Sequence, residues 1–487
     1  MKKNKRLFLS LLLGEYIVFA PAVMGQSMKI KLAVAQEVGS SVAFSINKEA
    51  KEVHVEWGDG KVMTYSTDSS GFLHTIAGIL KGDTVTITGN DNMNVIDCSN
   101  CGIQDIDLKG APKLRSLYCC NNSLTELDLR GLAHLVDLDC SNNQIEKLLY
   151  NVKAPEGVFS DLSRLENMNL SHNQLSGIFN LKLPMLQNLN VSDNNYVRLY
   201  VKSPNLKTVN CANNQIKGTL TLEKSEKLNS IVCNNNEIAE LKLHQNIASL
   251  QQLVCDNNVL TELDLASATD LTDISCADNK LYKMVVGAKL KQLSTFNVSG
   301  NALTFSVLPP HKLAPVYISF MPQSPFPISK EAGLMEKNGV YYAPLSSNWS
   351  DKVYVDLREQ SSLANKHRDS ESHWYSVQPD GSEKEMTYRK SSSDNGDLYV
   401  LSDRFAFFTP QKKAYVRFKS KSYHYEIVSQ PIAIGDDVTG VEAVRDDSRL
   451  KVSAVPGALV IECLNETPVH LYKSSGQLIW ASSLYYS

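Results

Sequence analysis

One pattern of apolar and polar positions recurs through the middle of the chain. Its clearest copy, residues 250–265, reads Leu-Gln-Gln-Leu-Val-Cys-Asp-Asn-Asn-Val-Leu-Thr-Glu-Leu-Asp-Leu. The second asparagine marks the repeat and falls at Asn122, Asn143, Asn173, Asn194, Asn214, Asn236, Asn258, Asn279 and Asn301, with Cys101 in the same slot one coil earlier. The intervals are 20 to 22 residues, with one of 30. Such a fixed period indicates a solenoid, here of about ten coils.

The pattern also predicts what each coil contains. The Leu-x-Cys segment is a short strand, and strands of successive coils pair in parallel about 4.7–4.9 Å apart, so about ten coils extend over about 45–50 Å. The asparagine side chain has the donors and the acceptor that a buried turn needs. The later Leu-x-Leu alternation suits a second strand on the back, where so short a repeat leaves no room for a long helix. The predicted fold class is therefore mainly β, and the coils of 21–22 residues resemble leucine-rich repeats.

Cysteines occupy one slot of the repeat, three residues before the marker asparagine. The seven members of this cysteine column are Cys98, Cys119, Cys140, Cys211, Cys233, Cys255 and Cys276. Other coils have leucine or valine there, so we expect these thiols to be buried and free. Disulfides are the alternative in an exported protein. The pattern resembles the internalin J type of bacterial leucine-rich repeat, in which cysteine replaces a core leucine.

Cys98, Cys101, Cys119 and Cys120 also form a C-x-x-C motif followed by a cysteine pair. A zinc or redox site would require these side chains to converge near a surface. The repeat already accounts for three of them, because Cys101 stands in an asparagine slot. Cys120 is predicted to face solvent, and no metal site is predicted.

Smaller β domains are predicted on both sides of the repeats, which span residues 93–308. Residues 26–92 form an N-terminal β cap over the first coil, and their Trp57-Gly-Asp-Gly turn resembles that of PKD-like modules. Residues 309–435 have the alternation and turns of an immunoglobulin-like β-sandwich with Trp374 in its core. This arrangement resembles surface proteins of the Bacteroidetes.

Both ends of the chain suggest export. Residues 1–25 combine a basic start, apolar stretches and small residues, as in a cleaved signal peptide. A retained membrane anchor is the alternative, but Glu15 and Pro21 interrupt the only candidate span. Residues 436–487 resemble the type IX (Por) secretion C-terminal sorting domain but lack its last Leu-x-x-Gly-x-Tyr strand, so a truncated sorting-like β module is expected. We expect an extracellular or outer-surface location, with the periplasm as the alternative.

Candidate binding residues follow from the predicted strands. Residues on either side of the inward cysteine slot should point outward to the concave face. The candidates from the preceding slot are Tyr118, Asp139, Asn169, Asn190, Asn210, Val232 and Val254. The following slot, which includes Ser141, Ser171 and Ser192, is expected on the same face. His172 is a further candidate, without an acidic partner in a neighbouring slot. Simple solvation of a polar face is the alternative interpretation.

The interval of 30 residues reflects an insertion within residues 150–162. Insertions in a solenoid form loops on its rim or back, and such loops often bind ligands. Phe159 is therefore added to the candidates. A tolerated insertion without a binding role is the alternative.

Net charge and the lack of catalytic motifs in the sequence limit the classes of function that can be predicted. The formal net charge is −3, and it becomes more negative without the basic N-terminus, which argues against nucleic acid as a partner. The sequence contains no nucleotide-binding or hydrolase motif, so neither enzyme activity nor a cofactor is predicted. The resemblances imply a secreted or surface-displayed protein that binds a host or bacterial protein, or a glycan, in adhesion or biofilm formation. A structural or glycan-binding component of the cell envelope is the alternative.

Overall fold

A computed structural model describes residues 28–67, 73–90, 92–153, 158–159, 162–222, 224–286, 293–308, 317–363, 369–436 and the strands within 450–484. For residues 152–153, 158–159 and those last strands it describes the backbone alone. The predicted signal peptide, residues 1–25, lies outside the described residues. The chain divides into two compact units. Unit 1 comprises Met1–Phe326, Ser362–Asp369 and Ser420–Ile427, and unit 2 comprises Pro327–Ser361, Ser370–Lys419 and Val428–Ser487.

The N-terminal part of unit 1 forms a five-stranded antiparallel sheet. Its strands, in spatial order, are Val62–Ser66, Glu52–Glu56, Thr84–Gly89, Met28–Val34 and Ile103–Gly110. Two further strands, Ser41–Asn47 and Leu73–Ile79, pair with each other, and Ser41–Asn47 also pairs with Val95–Asp97 of the first coil. A short 3-10 helix, Lys48–Ala50, follows Ser41–Asn47. The edge of the first repeat strand is therefore covered by an N-terminal strand.

The turn after Trp57 is held by close backbone packing. Gly58 has a φ of 103°, and the Glu56 carboxylate accepts hydrogen bonds from the backbone N–H groups of Gly58 at 2.6 Å and Gly60 at 2.8 Å. A Cβ atom on Gly58 would lie 2.4 Å from the backbone nitrogen of Gly82. Only glycine provides both this conformation and this approach.

Eleven repeat strands join Ser41–Asn47 and Leu73–Ile79 in a 13-stranded sheet, and the repeat strands pair in parallel, in register, from one coil to the next. These strands are Val95–Asp97, Ser116–Tyr118, Asp137–Asp139, Asn167–Asn169, Asn188–Asn190, Thr208–Asn210, Ser230–Val232, Gln252–Val254, Asp273–Ser275, Thr295–Asn297 and Tyr317–Ser319. The predicted mainly β solenoid of leucine-rich-repeat type is confirmed.

Short parallel sheets form the back of the solenoid, as the Leu-x-Leu alternation predicts. Their strands are Glu126–Asp128 with Lys147–Leu149; Ser176–Leu181, Asn195–Val201, Lys217–Leu222 and Glu237–Leu243; and Glu262–Leu265 with Lys283–Val286. The insertion forms a small antiparallel hairpin of Val152–Lys153 and Val158–Phe159. The described coils from Ser116–Tyr118 to Asp273–Ser275 thus carry a strand on each face and no long helix.

The marker asparagines, here called the asparagine ladder, connect successive coils. Asn143 illustrates the geometry: its Oδ1 accepts the N–H of Leu124 at 3.0 Å, and its Nδ2 donates to the carbonyls of Cys119 at 3.0 Å and Cys140 at 3.1 Å. The same contacts recur at the other ladder positions, for example at Asn258. One side chain therefore satisfies buried backbone groups of two neighbouring coils.

The residue before each ladder position, and before Cys101 in the first coil, has a left-handed backbone. Gly300 has a φ of 69°, and the others, with φ between 51° and 60°, are Asn100, Asn121, Asn142, His172, Asp193, Asn213, Asn235, Asn257 and Asp278. Asparagine and aspartate tolerate this conformation better than most residues. The Asn-Asn and Asp-Asn pairs of the repeat thus combine a turn residue with a ladder residue.

The parallel sheet continues past residue 308, where the sequence period predicts the repeats to end. Gln323 takes the place of a ladder asparagine: its Nε2 donates to the carbonyls of Val298 at 2.9 Å and of Phe320, and its Oε1 accepts the N–H of Leu303 at 2.7 Å. Phe320 stands in the cysteine slot and is fully buried. Because Phe320 and Gln323 replace the cysteine and the asparagine of the repeat, the sequence period does not reveal this coil. The 3-10 helix Phe305–Val307 lies in the preceding coil, between Asn301 and strand Tyr317–Ser319.

Two later segments of the chain complete unit 1 beside this last coil. Tyr425 stacks on Phe320, with ring centroids 5.5 Å apart and planes inclined by 27°. The Asp369 carboxylate accepts hydrogen bonds from the hydroxyls of Ser420 and Ser422, which holds the two segments together.

Unit 2 contains a mixed sheet and a three-stranded sheet. Its strands in the mixed sheet are Met335–Lys337, Val340–Ala343, Ile432–Ile434, Gln411–Ser420, Ser370–Val377 and Glu383–Glu385; those of the three-stranded sheet are Val355–Asp356, Arg404–Phe407 and Leu398–Leu401. Trp374 is fully buried and meets Phe405 and Phe407 edge-on at 5.6 and 4.8 Å. Trp374 thus lies in the core, and the immunoglobulin-like assignment stays a prediction. The described residues include one short α-helix, Arg358–Ser361, and a 3-10 helix, Lys330–Ala332.

The tail contains two antiparallel hairpins. The first pairs Leu450–Val455 with Ala458–Cys463, and the second pairs Thr467–Tyr472 with Leu478–Leu484. The type IX sorting resemblance stays a prediction. Across the described part of the chain, no helix has the length and apolar character to span a membrane.

Candidate binding groove

The concave face of the solenoid contains a groove of about 470 Å³, here called the concave groove. Six of the predicted candidates line it, and they form its first row: Tyr118, Asp139, Asn169, Asn190, Asn210 and Val232. Each is half-buried, because its side chain stands on the outward face of a short strand. The strand order of the sheet therefore brings these candidates together.

A second row of residues lines the groove and was missed by sequence analysis. It comprises Asp137, Asn167, Asn188, Thr208 and Ser230, each two positions before a residue of the first row. Side chains two apart on a strand share a face, so the alternation contained the signal. The slot after the cysteine was predicted to share this face, which is wrong for Ser141, Ser171 and Ser192. These serines are at most 5% exposed, because the chain turns inward there toward the left-handed residue.

Local turn chemistry explains most of the first row. The Oδ1 atoms of Asp139, Asn169 and Asn190 accept the backbone N–H two residues further on, at 3.0, 3.2 and 3.1 Å. Asn210 does the same at 3.1 Å. Aspartate and asparagine are favoured in such turns. Their presence is therefore accounted for by the fold, whereas Tyr118 and Val232 cannot make this bond.

Hydrogen bonds between coils fix the floor of the groove. Asn167 Nδ2 donates to Asp137 Oδ1 at 2.6 Å, Asn188 Nδ2 to Asn167 Oδ1 at 2.6 Å, and Thr208 Oγ1 to Asn188 Oδ1 at 2.8 Å. These bonds order the second row before any ligand arrives, which lowers the entropic cost of binding.

Open hydrogen-bond donors lie at the centre of the first row. Asn169 Nδ2 donates to Asp139 Oδ2 at 3.1 Å. Within the described part of the chain, the Nδ2 atoms of Asn190 and Asn210 donate to no protein acceptor, while their Oδ1 atoms hold the turns. Both amides face the groove and can donate to a ligand.

Negative charge gathers at the Tyr118 end of the groove. The parallel register places Tyr118 between Asp97 and Asp139 on the neighbouring strands. Burial, followed by the nearby charges of Asp137, Asp97 and Asp139, raises the pKa of Tyr118. The residues that line the groove include two carboxylates and no lysine, arginine or histidine.

Two predicted candidates, Val254 and His172, do not line the concave groove, and the side chain of a third, Phe159, is not described. Val254 follows Val232 in register on the next strand and does not line the groove. Phe159 pairs with Val152 in the insertion hairpin, and its side chain lies outside the described residues. Their binding roles stay predictions.

His172 has an acidic partner, contrary to the prediction. Its Nε2 lies 3.5 Å from Asp193 Oδ2, because both occupy the left-handed slot of adjacent coils. The interval of 21 residues between them was the available signal. Asn213 Nδ2 donates to Asp193 Oδ1 at 2.8 Å, which extends this exposed row along the rim. His172 therefore belongs to a rim contact between coils.

All seven residues of the cysteine column are fully buried, and none of the nine described cysteines forms a disulfide. Burial raises the pKa of the thiols of Cys98, Cys119, Cys140 and Cys233, and that of Cys211 to about 12. Burial also raises the pKa of Cys101 to about 11. Cys120 is half-buried. The structural role of the column stays a prediction.

We expect Cys120 to be the described cysteine that reacts fastest with iodoacetamide in the native protein at about pH 8. The thiolate is the nucleophile, and a buried thiol with a raised pKa supplies almost none of it. Brief labelling followed by peptide mapping measures the reaction, and the unfolded protein serves as the control in which every cysteine reacts. Rapid native labelling of Cys140, Cys211, Cys233, Cys255 or Cys276 would contradict the expectation.

The described residues contain no group of three histidine, cysteine or acidic side chains placed to hold a metal ion. The described lining of the groove provides hydrogen-bond donors, two carboxylates and one aromatic ring, which are groups that can bind a ligand.

Comparisons with known proteins bear on the repeats. The family model described as Leucine Rich repeats (2 copies) matches residues 112–151. No curated protein matches the chain. Among solved structures, the chain is similar to the functional domain of InlJ from Listeria monocytogenes, which includes a cysteine ladder, at 16% identity and a TM-score of 0.29, covering 73% of this chain and 94% of that one.

Two further solved structures are similar to part of this chain. YopM, a leucine-rich effector protein from Yersinia pestis, is 23% identical with a TM-score of 0.36, covering 47% of this chain and 67% of that one. The internalin InlF from Listeria monocytogenes is 16% identical with a TM-score of 0.26, covering 43% and 75%. The family match and the coil geometry together identify the solenoid of this chain as one of leucine-rich repeats.

Proposed function

We propose that this chain is a non-enzymatic binding protein that captures a protein partner in the concave groove. The observation that carries the proposal is the ordered row of outward side chains in which the Nδ2 atoms of Asn190 and Asn210 remain open. Tyr118 and Val232, at opposite ends of the first row, have no role in the turns. An aromatic ring and an aliphatic side chain on an otherwise polar face suit contact with a partner.

The partner belongs to a host surface or to a neighbouring bacterial cell, so the protein acts in adhesion or in a biofilm. Support comes from the basic and apolar N-terminus, which suits export, and from the sorting-like sequence of residues 436–487. A glycan-binding or structural role in the cell envelope is the second candidate. It is favoured by the amide-rich floor, since planar amides pair well with hydroxyl groups.

Combined substitution of Tyr118→Ala and Val232→Asp should lower partner capture about 10-fold. The substitutions remove the ring and place a charge at the far end, and both positions are outward-facing, so the fold should persist. Beads coated with the purified protein are counted after exposure to host cells and to bacterial cells. Asn297→Asp is the matched control, because Asn297 occupies the same slot three strands from Val232, outside the groove lining, and an aspartate keeps the acceptor for the Ser299 N–H. Undiminished capture by the double variant would move the site to the insertion or to unit 2.

We expect the protein on the outside of the cell. Protease added to intact bacteria should degrade it while a periplasmic marker protein stays whole. Immunoblotting of treated cells and of separated fractions measures both. Protection that lasts until the outer membrane is breached would place the protein in the periplasm and remove the adhesion role.

A further inference from the structure

We propose that the element entering the concave groove is an extended polypeptide segment that carries a lysine or arginine, whose cationic group lies against Tyr118. This inference rests on the proposed function and adds to it the chemical class of the bound segment.

Charge is the first argument. Asp97, Asp137 and Asp139 surround Tyr118, and within the described part of the chain none of them forms an ion pair. Their hydrogen-bond donors are neutral: Ser116 Oγ donates to Asp137 at 3.0 Å, and Ser141 donates to Asp139. These bonds orient the carboxylates and leave their negative charge uncompensated. A cationic partner supplies the missing charge.

The fold does not require these charges. Asn169 and Asn190 occupy the slot of Asp97 and Asp139 and make the same turn hydrogen bond as Asp139. Asn167 occupies the slot of Asp137 and passes its hydrogen bond on in the same way. An asparagine would therefore keep the turn hydrogen bond and the floor hydrogen bond, and the carboxylates add only a second acceptor oxygen, which at Asp139 accepts from Asn169 Nδ2 and at Asp137 from Ser116 Oγ. Within the groove, carboxylates are confined to the end that holds the aromatic ring.

The ring provides the second contact. An ammonium or guanidinium group over the face of a tyrosine is attracted by its electrons, and flanking carboxylates strengthen this attraction. Tyr118 is half-buried and lines the groove, so part of the residue stays accessible to a ligand. A phosphorylated or sulfated ligand would instead meet repulsion at this end.

The remaining length of the groove suits a peptide backbone. The open Nδ2 atoms of Asn190 and Asn210 can donate to backbone carbonyls, and Val232 offers an apolar contact at the far end. A neutral polysaccharide could use the amides, but it would desolvate the two carboxylates of the groove, Asp137 and Asp139, without neutralising them. The peptide is therefore the better occupant.

The test uses the full chain and three carboxylate-to-amide changes, Asp97→Asn, Asp137→Asn and Asp139→Asn, combined in one variant. Each change removes the charge and keeps the shape and one acceptor oxygen, while the second oxygen, which accepts from Ser116 Oγ at Asp137 and from Asn169 Nδ2 at Asp139, becomes an amide nitrogen. Asp273→Asn is the matched control, because Asp273 occupies the slot of Asp137 but does not line the groove. Thermal unfolding verifies that both variants fold like the wild type.

A random linear peptide library displayed on phage is selected on the wild-type protein, and recovered peptides are synthesised for fluorescence anisotropy. We expect recovered peptides to carry lysine or arginine and to bind the neutralised variant about 10-fold more weakly than the wild type, with no change for the control. Replacing the peptide's basic residue by glutamine should cause the same loss. The affinity for wild type should fall with added salt.

The proposal is overturned if recovered peptides lack basic residues, or if the neutralised variant binds them as tightly as the wild type. It is also overturned if only uncharged polysaccharides from a glycan array bind. If the Tyr118→Ala and Val232→Asp variant loses cell capture while the neutralised variant keeps it, the proposed function stands and this inference fails. If both variants keep capture, the proposed function itself fails.

Discussion

Replacing Asn258 by alanine should lower the free energy of unfolding by about 4 kcal/mol. Asn258 is 6% exposed and donates from Nδ2 to the carbonyls of Cys233 at 3.0 Å and Cys255 at 3.1 Å, while its Oδ1 accepts the N–H of Ile238 at 2.9 Å. Alanine leaves these buried backbone groups without partners, and each one costs about 1–3 kcal/mol. Urea denaturation followed by circular dichroism measures the change.

Asn257 provides the control for this substitution. It precedes Asn258, has a φ of 53°, and its exposed Nδ2 donates only to Asn235 Oδ1. Gly300 occupies the same slot in a later coil, so Asn257→Gly should change stability by less than about 1 kcal/mol. Equal effects of the two substitutions would show that the ladder hydrogen bonds contribute little.

Gly82→Ala should destabilise the N-terminal part of unit 1 by about 3 kcal/mol. A Cβ atom at Gly82 would lie 2.5 Å from the carbonyl oxygen of Gly58 and 2.9 Å from its Cα, and neither backbone atom can move aside easily. Because Ser41–Asn47 covers the first repeat strand, we also expect earlier exposure of that strand. Hydrogen exchange of Val95–Asp97 and thermal unfolding report on both effects.

Gly60 serves as the control for this crowding. It lies in the same turn with a φ of 76°, and a Cβ atom there would meet nothing within 4 Å. Gly60→Asn should cost at most about 1 kcal/mol, since asparagine tolerates a left-handed backbone. A Gly82→Ala protein as stable as Gly60→Asn would refute the close-packing argument.

The solenoid could be predicted from sequence because one residue type does the same work in every coil. Each asparagine forms hydrogen bonds to two coils, so every coil needs one at the same position. The regular spacing therefore resumes after the insertion. The last coil was missed for the same reason: Gln323 and Phe320 perform the work with different side chains. A search for periodicity detects the same residue type at a fixed interval, and it does not detect the same structural role filled by another residue type.

Site prediction succeeded where strand alternation decides the outcome and failed where the turn does. Tyr118 and Asn190 were placed correctly because the strands are regular. Ser141 was misplaced because the left-handed Asn142 that follows turns the chain inward. The partner of His172 was missed because contacts between coils join residues one period apart, which a motif search along the chain does not compare.

The contact between Tyr425 and Phe320 can form only late in the synthesis of this protein. Phe320 belongs to the last coil. Its stacking partner Tyr425, and Asp369 with its hydrogen-bond donor Ser420, come from segments that are synthesised much later. A chain that emerges from the ribosome, or crosses a membrane, N-terminus first will therefore wind its coils before the residues that close the final one exist. During that interval the apolar end of the solenoid around Phe320 is uncovered. Exposed apolar surface promotes aggregation, so slower synthesis of the later segments would prolong the period of risk.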